Sequence, residues 1–123
     1  MSQLRAAALA AIILLMFPAG PALAQAAFPS KAILFVVTSP PGGSNDLFAR
    51  AIGRRLAEAL GKPVVVENRA GATGSIGEAF VAKAPPDGYT IVMISSSFTT
   101  KAAIQTNLPY DPATAFVPVA MIG

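Results

Sequence analysis

The chain has 123 residues, with 9 Lys and Arg against 6 Asp and Glu and a formal net charge of +3. That surplus is small and scattered, only Arg54 and Arg55 being adjacent, so nucleic acid is not an expected partner. Without cysteine or histidine, the chain cannot build a Ser-His-Asp or Cys-His nucleophile system, and its carboxylates alone make a poor structural zinc site. No catalytic residue, metal ligand or cofactor is expected, and the chain is read as a non-enzyme.

Residues 1–24 have a secretory form. Arg5 supplies a positive start, and Ala6 to Phe17 is an apolar core too short to span a bilayer comfortably. Ala22-Leu23-Ala24 fits a small-x-small cleavage pattern. Cleavage before Gln25 is expected, with an uncleaved anchor as the alternative; about 99 residues then remain, enough for one small domain. The lack of a disulfide framework is compatible with a periplasmic location.

Ala32 to Thr38 is a short β-branched run closed by Pro40, which predicts a buried strand. From Asp46 a helical period begins: Phe48, Ile52, Leu56 and Leu60 share one side, while Arg50, Arg54 and Glu58 lie opposite. Gly61 stands where a helix end prefers glycine. Between strand and helix lies Ser39-Pro40-Pro41-Gly42-Gly43-Ser44-Asn45-Asp46, with Ser44 and Asn45 as candidate N-caps. Free amides at a helix start and two permissive glycines make an anion cradle. They equally make a plain strand-to-helix turn with a good cap. Residue types alone leave both readings open.

The pattern then repeats. Pro63 to Glu67 predicts a second strand, Asn68 to Gly74 a glycine-bearing loop, and Ser75 onward a helix through about Ala84. Ser75 and Glu78 have the spacing of a capping box. In a parallel sheet both glycine loops lie at the carboxyl ends of their strands, where such folds bind ligands. Gly71, Gly74 and Gly77 also invite a dinucleotide-binding reading. Their spacing is not G-x-G-x-x-G, and the next strand, Tyr89 to Ile94, ends in Ser95-Ser96-Ser97 instead of an acidic residue. Those serines and Thr99 either face the same site or form a solvated loop. A short helix over Thr100 to Gln105 and a final apolar strand over Phe116 to Ile122 complete the expected elements.

Five stretches in order, PPGGSND with LFARAIGRRLAEALG, PVVVENRAGATGSIG, AKAPPDGYT and LPYDP, resemble the amino-terminal part of a tripartite tricarboxylate transporter substrate-binding protein of the Bug or TctC type. The resemblance runs from about Phe28 onward. It implies an α/β fold, a parallel-type sheet with flanking helices, forming most of the first lobe of a two-lobed periplasmic clamp whose second lobe is absent here. The expected domains are a signal peptide over 1–24 and this partial lobe over 25–123. The implied function is binding of a small organic carboxylate, as a monomer, for delivery to membrane subunits of the transporter. Two alternatives stay open: a truncated, non-functional receptor remnant, and a nucleotide-binding enzyme. The resemblance places the ligand against Pro41, Gly42, Gly43, Ser44 and Asn45 of the first loop, and against Gly71, Ala72, Thr73, Gly74 and Ser75 of the second. Ser95 and Ser96 are the implied hydroxyl donors. Asp46 is assigned to loop bracing beside the site, its charge turned from the ligand. At Lys101-Ala102-Ala103 the chain departs from the family's frequent Asn-Pro pair.

Overall fold

The structure is a computed structural model that describes residues 27–122; the expected leader therefore lies outside the described residues. Three strands, β1 (Ile33–Val37), β2 (Val64–Asn68) and β3 (Thr90–Met93), form a wholly parallel sheet in the order β2-β1-β3. Helix α1 (Ser44–Leu60) connects β1 to β2, α2 (Ser75–Ala82) connects β2 to β3, and α3 (Ser97–Ile104) follows β3. Parallel neighbours need such crossovers, because a tight turn can join only antiparallel strands.

Central strand β1 is apolar throughout because both of its faces are covered. Phe35 and Val37 pack with Ala49 of α1 and Met93 of β3, joined by Ile52, Val64, Val66 and Ile91. On the other face Thr38, just past the strand, meets Gly74 and Gly77 beside α2. The two helices thus sit on opposite faces, α1 over β1 and β2, and α2 over β1 and β3.

The sequence reading of α1 needs two corrections. Its buried residues are Asp46, Ala49 and Gly53, and Phe48 is 54 % exposed. The helix approaches the sheet over small residues: a Cβ at Gly53 would stand 3.3 Å from Val64 Cγ1. That close approach rotates Phe48 off the buried face. Ser44 and Asn45 do not cap the helix; Gly43 occupies the cap position, and no side chain bonds there. Gly61 does end it, in a left-handed conformation with its N–H donating to Ala57 O at 2.9 Å.

Ser75 and Glu78 form no capping box either. Gly74 precedes α2 as its cap residue, and Glu78 is 1 % exposed, turned into the protein. The last helix starts earlier than expected, so Ser97 and Thr99 lie within it. Residues 116–122 form no strand, and Val117, Val119 and Met121 are exposed. Strand formation needs a partner edge, and among the described residues none runs beside them.

Candidate functional site

The loops that leave β1, β2 and β3 converge at the carboxyl edge of the sheet and enclose an open cleft of about 320 Å³. Thr38, Ser39 and Pro40 come from the end of β1. Ala70, Gly71, Thr73 and Gly74 come from the loop after β2, and Ser95 and Ser97 from the segment after β3. The wall is built from five hydroxyl-bearing residues, two glycines, Pro40 and Ala70, and none of these residues carries a charge.

Of the residues expected at a ligand, Gly71, Thr73, Gly74 and Ser95 line the cleft. Pro41, Gly42, Gly43, Ser44 and Asn45 do not, nor do Ala72, Ser75 and Ser96. Pro41 to Ser44 are exposed beyond Pro40, at the rim. Sequence reasoning names none of Thr38, Ser39, Pro40 and Ala70 as a ligand contact; Ser97 is among the serines it leaves open between the site and a solvated loop, and it lines the cleft. The signal for those first four is position alone, within two residues of a strand or glycine loop at the carboxyl edge.

The second loop owes its shape to unusual backbone. Gly71 has φ +124°, and Ala72 and Thr73 have φ +46° and +55°, a region that side-chain-bearing residues seldom occupy. Gly74, at φ +90°, returns its N–H to Gly71 O at 2.9 Å. The φ of +124°, more than sterics, calls for glycine at 71: a Cβ there would lie 2.6 Å from Ile76 Cδ1, the tip of an exposed side chain that can move aside. Gly77 answers the dinucleotide reading: its missing side chain makes room for Arg69 O, 2.7 Å from where a Cβ would stand. This glycine serves helix packing.

Opposite this loop, Ser95 Oγ and Ser97 Oγ share a hydrogen bond of 2.6 Å. Thr38 Oγ1 donates to Met93 O at 3.2 Å, joining the ends of β1 and β3. Ser39 Oγ is buried at the cleft and finds no hydrogen-bond partner among the described residues. Satisfied hydroxyls predominate in protein interiors, so an unpaired one beside a cleft is informative. Among the described residues no group of three or more His, Cys, Asp or Glu could hold a metal.

The first loop is held from behind. Asp46, 3 % exposed, accepts from Gly42 N–H at 2.9 Å, from Arg50 Nε at 3.1 Å and from Asn68 Nδ2 at 2.9 Å. Asn68 also donates to Ser39 O at 3.1 Å, so one carboxamide ties β2 to the start of this loop. Hydrogen bonds from Arg50, then Gly42, then Asn68 hold the Asp46 carboxyl down at about 2. A depressed carboxylate stabilises the fold fully above its ordinary value of 3.8 and loses that contribution as pH falls toward about 2. The stability gap between wild type and Asp46→Asn should therefore narrow when urea midpoints are followed from about pH 6 to about pH 2. A gap independent of pH would mean that the carboxylate is not braced this way.

Open parallel α/β sheets bind ligands at the carboxyl ends of their strands, where this uncharged cleft lies. The sequence pattern of the tripartite tricarboxylate transporter family receptor matches residues 48–123, and the chain belongs to that family. The solved periplasmic binding protein BugD is 39% identical with a TM-score of 0.68, over 72% of this chain and 30% of that one. Rpa4515 of R. palustris, solved with adipate, is 38% identical with a TM-score of 0.67, over 71% of this chain and 29% of that one. MatC from Rhodopseudomonas palustris, solved with bound malate, is 34% identical with a TM-score of 0.67, over 75% of this chain and 32% of that one. The family is one of transporter receptors and BugD is a periplasmic binding protein, and such receptors are not enzymes. The chain spans about 30% of the length of the curated relatives it matches.

Proposed function

We propose that this chain supplies one wall of the ligand site in a periplasmic receptor for a small organic carboxylate, which passes its ligand to the membrane subunits of a tripartite tricarboxylate transporter. Residues 1–24 act as the secretory leader, and residues 25–123 form most of the first of two lobes. The observation that carries this reading is the cleft wall, which offers hydroxyls and glycine backbone but no charged side chain. Neutral dipoles can hold an anion without burying a fixed cation, which would be costly to desolvate. Bridging waters would add contacts at little cost in affinity and let related acids share the site.

Thr73, Gly74, Gly71 and Ser95 are the proposed first contacts, joined by Ser39 and Ser97, which line the same space. The Pro41–Asn45 loop meets the ligand at the rim, with Ala72, Ser75 and Ser96 supporting the wall. Adipate in one relative and malate in another support a carboxylate as the ligand class. In thermal unfolding of the chain, malate or adipate should raise the midpoint. A ligand at 100 times its Kd contributes about 2.7 kcal/mol. Replacing both Ser95 and Ser97 with alanine should remove most of that rise. No shift with any dicarboxylate tested would sink the proposal, and a shift with NAD or ATP alone would favour the nucleotide reading.

A further inference from the structure

We infer that Lys101, Glu78 and Tyr110 are positioning residues of the cleft: a buried cross-brace that fixes the Gly71–Gly74 loop relative to the Ser95–Ser97 wall. Its consequence for ligand binding rests on the proposed function; the brace itself rests on geometry. Lys101 is 5 % exposed and Glu78 1 % exposed, and their side chains pair directly. Lys101 lies one turn after Ser97 on α3, and its ammonium crosses to donate to Thr73 O at 3.0 Å. Gly74 N–H, the other polar group of that peptide unit, donates to Gly71 O at 2.9 Å. The Thr73–Gly74 peptide is thus held at both ends.

That peptide needs holding. Ala72 and Thr73 are both left-handed without being glycine. Such backbone persists only where its surroundings over-determine it. Glu78 acts through Lys101, pairing with the ammonium that donates to Thr73 O. Tyr110 donates to the same Glu78 oxygen that receives Lys101. Burial, then the Glu78 hydrogen bond and charge, push the phenol well above its ordinary value, so it stays a donor. The Tyr110 ring stacks on Phe98 of α3 at 6.4 Å between centroids, and Phe116 meets both rings edge-on. An ion pair serving only the core would end at its two partners. This one reaches on to the carbonyl of a residue that lines the cleft.

The test uses the full chain, labelled with ¹⁵N. In the double variant Glu78→Gln with Lys101→Met, no buried charge is left unpaired, and the donor to Thr73 O is gone. Gly74 N–H should exchange with solvent at least about tenfold faster, while Val36 and Val37 amides in β1 keep their protection. The Ser97 amide resonance should shift with it, although both substitutions lie elsewhere. Tyr110→Phe removes one support of Glu78 but leaves the ammonium on Thr73 O, so Gly74 exchange should quicken by less than in the double variant. Unchanged Gly74 exchange in the double variant would overturn the brace, as would equal loss of protection throughout β1. A titration with malate forms the second arm, in which the double variant should bind about tenfold more weakly than wild type. If wild type does not respond to malate, the carboxylate reading falls while the exchange data still decide the brace.

Discussion

Replacing Lys101 with methionine alone should lower the free energy of unfolding by about 3–5 kcal/mol, because it strands a charge that has almost no access to water. Glu78 would keep Tyr110 and lose its only cation among the described residues. Set against a typical domain stability of about 5–15 kcal/mol, this loss removes much of the margin. The pair itself adds little net stability, since desolvation offsets most of its attraction. The double variant with Glu78→Gln should therefore be more stable than the sum of the two single changes predicts. Exposure decides this contrast. Arg55 pairs with Glu58 at 3.2 Å, but their side chains are 85% and 58% exposed. Arg55→Ala should cost at most about 1 kcal/mol. Urea unfolding measures all three, and a Lys101→Met loss no larger than that of Arg55→Ala would show that the pair is not electrostatically buried.

Gly77→Ala should destabilise the fold by about 1–3 kcal/mol, against the sign of helix propensity. In an open helix the change from glycine to alanine would gain about 1 kcal/mol. Here the new Cβ would stand 2.7 Å from Arg69 O and 3.0 Å from Thr38 Cγ2. Arg69 N–H is bonded to Val37 O at 2.8 Å, so its backbone cannot yield freely, and α2 must move away from the sheet. That movement would also disturb the cleft wall, because Thr38 and Gly74 line it. Gly53→Ala is the control on α1. Its Cβ would meet only side-chain carbons, at 3.3 Å and beyond, which can give by a few tenths of an ångström. Denaturant midpoints for the two variants should separate clearly, and a stabilised Gly77→Ala would refute the close packing of α2.

Local pattern made the parallel sheet readable. The β-branched runs at 33–37 and 64–68, each followed by glycine and then a helical period, are short-range signals that the fold retains. The location of the cleft follows from the same order, since both glycine-bearing loops leave strands in one direction. Side-chain destinations were less legible. Ser75 and Glu78 satisfy a capping-box spacing, yet Glu78 pairs with a lysine 23 residues on, and nothing in Lys101-Ala102-Ala103 signals burial. Phe48 fits the helical period, but close approach over Ala49 and Gly53 selects a different face. Asp46 was legible as a brace because it is a carboxylate in a first helical turn; its partner Asn68 lies 22 residues away and was not. The apolar run at 116–122 resembles a strand in composition, but strand pairing depends on a distant partner that composition does not reveal.

The most direct test of a carboxylate site at the carboxyl edge of this sheet is a chemical-shift titration of the ¹⁵N-labelled chain with malate. Binding there should move the amide resonances of Gly71, Thr73, Gly74, Ser95 and Ser97 together along one saturating curve, leaving β1 residues Ile33 to Phe35 in place. Saturable shifts confined instead to the Phe98, Ala102 and Ala113 surface, or no saturable shift at all, would contradict it.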